Sequence, residues 1–263
     1  MEVARGRTRV EAWLDTVGKI TPGGRVYNLI TEIAQPMAVT PQSRAVEAIV
    51  DRELRDNGHQ PLVTVAETIF PMTEYKQRGL QGVFDYPNTI FPLIRSVAAN
   101  NRGTYALRLV QRRCSDGTLL NPLELMIDKM KAWLAREATR RAIYEIDVGL
   151  EAAELKFYDA EIDNANHIGG QCLSHLSFKL GDNSELYLTA MYRYQYMLQK
   201  GLGNYKGLAS LQAVVARELG IEVGPLVVHA TLAFLDVSTV GGMNKYNALV
   251  SKCSEALQSA PVA

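Results

Sequence analysis

The sequence predicts an α/β fold of the α+β or mixed type, built as a single domain over residues 1–263. Three observations lead there. Some segments carry apolar residues at helical spacing, while others alternate or run apolar over strand lengths. Hairpin-type turns join several of the strands, which favours an α+β arrangement. The chain has 263 residues, 47% hydrophobic and 21% charged, enough for one sizeable core, and no composition break divides it.

Val10 to Ile20 places Val10, Trp13, Leu14 and Val17 on one helical face and stops at Thr21-Pro22-Gly23-Gly24. Val26 to Ile33 is β-branched and apolar and reads as a strand. A helix over Pro41–Leu54 follows Thr40, a suitable N-cap with proline in the first helical position, and ends at Asn57-Gly58. Leu62 to Phe70 mixes strand and helix signals. Residues 71–104, rich in proline and glycine, read as loop. Tyr105 to Arg112 alternates like a strand. Asn121-Pro122 opens a helix to about Arg136, and Arg141 to Val148 reads as a strand. Leu173–Leu180 and Glu185–Tyr194 are strands about the turn Gly181-Asp182-Asn183-Ser184. An apolar helix over Asn204–Leu219 ends at Gly220, a left-handed cap, and Val223–Leu235 is a long apolar strand.

Charge and composition exclude several classes. The 28 basic and 28 acidic residues cancel, so no basic excess points to nucleic acid, whose phosphates dominate affinity. No window holds the ~18 apolar residues of a membrane span, and no apolar stretch after the charged first residues suggests a targeting segment. Three cysteines, Cys114, Cys172 and Cys253, are too few and odd for a disulfide framework, which fits a reducing, cytoplasmic setting.

The chain lacks a phosphate-loop signature, a dinucleotide glycine motif, a zinc-protease helix and a serine-hydrolase elbow. Its four histidines do not stand at zinc spacings with cysteines. Cys172 and His175 come nearest, but in a strand they point to opposite faces, so no metal is expected. Cys172 follows the flexible His167-Ile168-Gly169-Gly170-Gln171 and opens a strand. A thiol at such a junction can face a cleft, or fill the core as a small hydrophobe. Arg193, within an apolar strand, needs an anionic partner or a route to solvent.

Together these elements resemble thymidylate synthase. The run Gly170-Gln171-Cys172-Leu173 leads into a strand, a hairpin returns to Tyr192-Arg193, and Asn204 follows Arg193 by eleven residues, as in that family. Thr139-Arg140-Arg141 resembles the family's Ser-Arg-Arg element, and Ser259 to Ala263 its short apolar tail. The likeness covers about residues 105–235. It implies a mixed β-sheet with flanking helices and a homodimer whose active sites are shared. It also implies 5,10-methylenetetrahydrofolate as one-carbon donor and a pyrimidine nucleotide monophosphate as acceptor. Cys172 would then be the nucleophile at C6, which makes C5 reactive. Arg193 would hold the 5′-phosphate, and Arg140 and Arg141 would reach the phosphate of the partner subunit. Asn204 would read the base, and Glu67 would stand for the family's proton-relay glutamate. Arg7 and Arg25 are candidates for its amino-terminal phosphate arginine.

The departures from that pattern are specific. Gln171 and Leu173 replace the Pro and His that flank the family's nucleophile, and Tyr192, Tyr194 and Tyr196 replace polar residues around its phosphate arginine. Phe234 and Asp236 stand where a His and a Tyr bind the sugar hydroxyl; Asp236 could accept a hydrogen bond from a ribose. The expected activity is methyl or hydroxymethyl transfer to C5. The alternatives are an inactive nucleotide-binding protein of the same fold and an enzyme acting on another phosphorylated heterocycle in secondary metabolism.

Overall fold

The computed structural model describes residues 1–97, 100, 103–114, 116–135, 153–157 and 171–259. They form a mixed α/β fold, a β-sheet flanked by helices. In chain order the elements begin with β1 (Glu2–Gly6), α1 (Arg9–Gly18), β2 (Arg25–Ile33), α2 (Pro41–Asp56), α3 (Leu62–Ile69) and α4 (Met72–Phe84). The short helices α5 (Tyr86–Thr89), α6 (Phe91–Ile94) and α7 (Tyr105–Val110) follow, then the ribbon β3 (Arg112–Arg113) and β4 (Leu119–Leu120), α8 (Pro122–Leu134) and β5 (Ala153–Lys156). Next come β6 (Leu173–Leu180), β7 (Glu185–Tyr192), β8 (Gln195–Tyr196), a π-helical turn over Met197–Gly201, α9 (Leu202–Leu219), β9 (Glu222–Phe234) and α10 (Met243–Gln258).

The sheet runs β1-β2-β9-β7-β6-β5, with β8 added beside β9. β1 lies parallel to β2 and β7 parallel to β9; β2–β9, β6–β7 and β5–β6 are antiparallel. Along β7 the pleat separates two faces: Leu186, Leu188, Ala190 and Tyr192 are buried, while Tyr187, Thr189 and Met191 are exposed. The buried face carries α9, whose Leu208, Leu211 and Val215 join the core. α3 packs unusually close to α9 because Gly203 and Gly207 face it. A Cβ on Gly203 would stand 2.7 Å from Cβ of Val65, and one on Gly207 would stand 2.8 Å from the Ala66 carbonyl oxygen.

Several expectations hold with small changes of boundary. α1 begins at Arg9 under a capping box of Thr8 and Glu11. Thr40 caps α2 by accepting from the Ser43 amide at 3.0 Å. Gly220 closes α9 in the left-handed conformation, φ 70°.

Other expectations are corrected. Residues 71–104 are largely helical, not loop. The prolines of α5 and α6 sit in the first helical turn, where a missing N–H breaks nothing, so they start helices rather than stopping them. α4 survives Gly79 by a local break at φ 63°. Tyr105–Val110 is a helix, not a strand: Thr104 caps it by accepting from the Leu107 amide at 3.1 Å, and Ala106, Leu109 and Val110 are buried on one face. β1 and α10 are further elements that the sequence reading leaves out. The strand expected over Arg141–Val148 lies outside the described residues. Among the described residues no helix is long and apolar enough to cross a membrane.

Candidate active site

The hairpin β6–β7 brings Cys172 and Arg193 together. Leu173 pairs with Tyr192 at its open end, and one residue further out the Arg193 amide donates to the Cys172 carbonyl at 2.8 Å. The Arg193 guanidinium turns back onto the same loop: Nε and Nη2 donate to the Gln171 carbonyl at 3.1 and 2.6 Å. Thr231 of β9 donates to the Arg193 carbonyl at 2.9 Å, so the arginine's backbone is fixed from both sides.

The loop before β6 is held from below by the start of α7. The Tyr105 hydroxyl accepts from the amides of Cys172 and Leu173, each at 3.0 Å, and Gln171 Nε2 donates to the Gly103 carbonyl at 2.7 Å. The Tyr105 ring stands edge-on to Phe157, centroids 5.7 Å apart. Burial pushes its phenol up to about 12. Tyr192, 1% exposed, interacts with Tyr105 and Cys172, and its hydroxyl has no hydrogen-bond partner among the described residues.

Cys172 is half-buried. Burial raises its thiol pKa, and the charges of Arg193 and Lys200 oppose that shift. Lys200 belongs to the Met197–Gly201 turn and is absent from the sequence expectations. Burial lowers its ammonium pKa, and Cys172 opposes that shift. Its only mark in the sequence is a lone cation in the otherwise uncharged run from Tyr194 to Tyr205.

Asp236 is bonded to the turn before α9. It is 2% exposed. Its Oδ1 accepts from the Leu198 amide at 2.9 Å, and its Oδ2 from the Gln199 amide at 3.1 Å and the Thr239 hydroxyl at 2.7 Å. The carboxylate anchors the π-helical turn with three of its roughly four acceptor sites. Trp13 Nε1 fixes the same turn by donating to the Met197 carbonyl at 2.9 Å. Asn204, 6% exposed, follows the turn on the first helical positions of α9.

Phe234 stands in an aromatic group with Tyr194 and Tyr196. Tyr196 meets it edge-on at 5.9 Å, Tyr194 lies 4.9 Å from Tyr196, and the Arg25 guanidinium lies 5.3 Å from the Phe234 ring centroid. Tyr194, Tyr196 and Phe234 thus pack on one another.

Glu67 sits on α3. Its Oε1 accepts from the Thr73 amide at 3.1 Å and hydroxyl at 2.9 Å, which ties it to the first turn of α4 rather than to the thiol. Burial raises its carboxyl pKa despite these bonds. The folded state therefore holds this proton more tightly than the unfolded chain does, and ionisation above the ordinary glutamate range costs stability. Glu67→Gln keeps the acceptor and removes the charge. Its melting temperature relative to wild type should rise from about pH 4 to about pH 8; a fall over that range would mean that Thr73 stabilises the anion more than burial penalises it. Arg140 and Arg141 lie outside the described residues, as do residues 260–263 of the tail.

No protein-family model matches the sequence, and no curated protein is similar enough to it to count as a match.

Proposed function

We propose that the chain is a thymidylate synthase-like transferase. It moves a methyl or hydroxymethyl group from 5,10-methylenetetrahydrofolate to C5 of a pyrimidine nucleotide monophosphate, through an adduct of Cys172 at C6. The observation that carries this reading is the pairing of a half-buried thiol with Arg193 at the open end of β6–β7, with Asn204 on the next helix. A cation beside a thiol favours the nucleophilic thiolate, and the same guanidinium is suited to a phosphate. Adding sulfur to C6 pushes electrons to C5, which attacks the one-carbon unit; the C5 proton then leaves. Glu67 is the candidate for moving protons on the folate side. The setting is a cytoplasmic one, where the thiol stays reduced.

In this reading the molecule is a homodimer. The exposed face of the sheet, with Tyr187 and Met191 outward, is where the partner subunit would pack, and Arg140 and Arg141 would cross to the partner's phosphate. Arg141→Ala and Cys172→Ala should each be inactive alone. A mixed dimer has one site with both lesions and one with neither, so activity should partly return. Verified heterodimers without activity would place Arg141 in its own subunit's site or outside both.

The second reading, a nucleotide-binding protein without this chemistry, is favoured by one observation: the positions of the family's sugar-binding residues hold Phe234, in an aromatic group, and Asp236, occupied by backbone donors. The sequence alone suggests that UMP or CMP, or a modified pyrimidine nucleotide, binds better than dUMP; the three hydrogen bonds that Asp236 already accepts argue against a preference that runs through it. Calorimetric titration of UMP, CMP, dUMP and dCMP should give affinities for ribose and deoxyribose forms within about threefold of each other, since no sugar contact worth ~1 kcal/mol separates them. Tightest binding of dUMP, with dTMP formed when folate is added, would instead indicate an ordinary synthase. Release of tritium from C5-labelled nucleotides separates the two readings, because it requires thiol addition and not merely binding.

A further inference from the structure

We propose that Gln171 is the positioning residue for Arg193: its carbonyl, tied to Gly103 through its own side-chain amide, sets the direction in which the guanidinium meets an anion. The anion is the 5′-phosphate of the nucleotide, so this rests on the function proposed above. The resemblance does not supply the device, because the residue it places here is a proline, which has no side-chain donor.

Arg193 is exposed, and a long exposed side chain keeps its rotamer freedom unless a bond offsets the loss. One oxygen does so here. The Gln171 carbonyl accepts from Nε at 3.1 Å and from Nη2 at 2.6 Å, which fixes the guanidinium plane along its side edge. An incoming phosphate is then met by the end-on edge, Nη1 with Nη2, in the fork geometry that suits two phosphate oxygens. A carbonyl carries no net charge, so it orients the cation without cancelling its field, whereas a carboxylate in the same place would cancel most of it.

The carbonyl itself is held from two sides. It shares one planar peptide unit with the Cys172 amide, and in a trans unit the C=O and N–H point in opposite directions. The Cys172 amide donates to the Tyr105 hydroxyl at 3.0 Å, so the Gln171 carbonyl faces away from α7 and toward Arg193. On the other side, Gln171 Nε2 donates to the Gly103 carbonyl at 2.7 Å and fixes the residue in front of that peptide unit. Gly103 stands at φ 89°, in the left-handed region that favours glycine. The Arg193 amide, in turn, donates to the Cys172 carbonyl at 2.8 Å. The peptide units before and after Cys172 therefore both bond Arg193, one at its guanidinium and one at its backbone. Of these contacts, only the bond to Gly103 depends on which side chain residue 171 carries.

The test compares wild type with Gln171→Met, which keeps the length of the side chain and removes its donor, and with Arg193→Ala. In ligand-free protein, NMR of labelled arginine follows solvent exchange of the Arg193 Nε–H, assigned by its loss in Arg193→Ala. Exchange should be several-fold faster in Gln171→Met. Calorimetric titration with UMP and with uridine isolates the phosphate as the ratio of the two affinities. That ratio should fall about three- to tenfold in Gln171→Met, the contribution of one neutral hydrogen bond, and further in Arg193→Ala. Adding Gln171→Met to Arg193→Ala should lower it no more, since the two residues act as one. A residue that only braced the loop would weaken UMP and uridine alike and leave the ratio unchanged. Unchanged exchange in folded Gln171→Met overturns the proposal, and so does a wild-type ratio there when Arg193→Ala lowers it. If Gln171→Met does not fold, wild-type protein decides: an Arg193 Nε–H that exchanges as fast as that of a solvated arginine overturns the proposal, and a protected one supports it. If Arg193→Ala leaves the ratio unchanged, the phosphate reading falls, and exchange alone decides whether Gln171 holds the guanidinium.

Discussion

Cys172→Ser should abolish tritium release from C5-labelled pyrimidine nucleotides while leaving the fold intact. A serine hydroxyl fits the half-buried position but is a far weaker nucleophile at neutral pH than a thiol, whose ionisation the charges of Arg193 and Lys200 favour against burial. The loss should be roughly a thousandfold or more, the scale seen when the nucleophile of a catalytic unit is removed. The other cysteines serve as controls of two kinds. Cys114 is partly exposed, and Cys114→Ser should change neither stability nor release. Cys253 is fully buried on α10, so Cys253→Ser places a hydroxyl in the core and should cost ~1–3 kcal/mol of stability. Its release rate at low temperature should remain that of wild type. Wild-type turnover by Cys172→Ser would remove the covalent route; loss of turnover through Cys253→Ser in folded protein would mean that the wrong thiol has been assigned.

Much of the fold was legible because local signals and tertiary packing agree there. Thr40-Pro41, the turn after Leu180 and Gly220 each announce an element boundary in the residues that make it. Legibility failed where a residue's meaning depends on its place within an element. Pro87 and Pro92 resemble breakers until they are seen in first turns. Tyr105–Val110 alternates like a strand, but Tyr105 is drawn to the amides of Cys172 and Leu173, a contact made across 67 and 68 residues. Within the candidate site, Cys172, Arg193 and Asn204 are named by the resemblance to thymidylate synthase, which their order and spacing carry. Lys200 carries no such signal; its influence on the thiol is visible only in the fold. Asp236 is legible as a polar residue at a candidate sugar position, but a sequence does not show which hydrogen bonds a carboxylate already makes.

That bonding makes Asp236 the most consequential structural residue near the site. Asp236→Ala would leave the amides of Leu198 and Gln199 without their acceptor and the Thr239 hydroxyl without its partner. Hydrogen bonds to a charged acceptor contribute about 1.5–3 kcal/mol each, so the loss of three should cost at least about 4.5 kcal/mol. In a chain of this size that corresponds to a fall in melting temperature of roughly 10 °C or more. Asp236→Asn keeps one acceptor oxygen, which can serve Leu198, and Thr239 can turn its hydroxyl to accept from the new amide. Only the bond to Gln199 is then lost, and the fall should be about half as large or less. Thermal unfolding and nucleotide titration of the three proteins decide between an anchor and a ligand. An anchor lowers stability and leaves the ratio of ribose to deoxyribose nucleotide affinity unchanged in Asp236→Asn. A sugar ligand would instead change that ratio, with stability close to wild type.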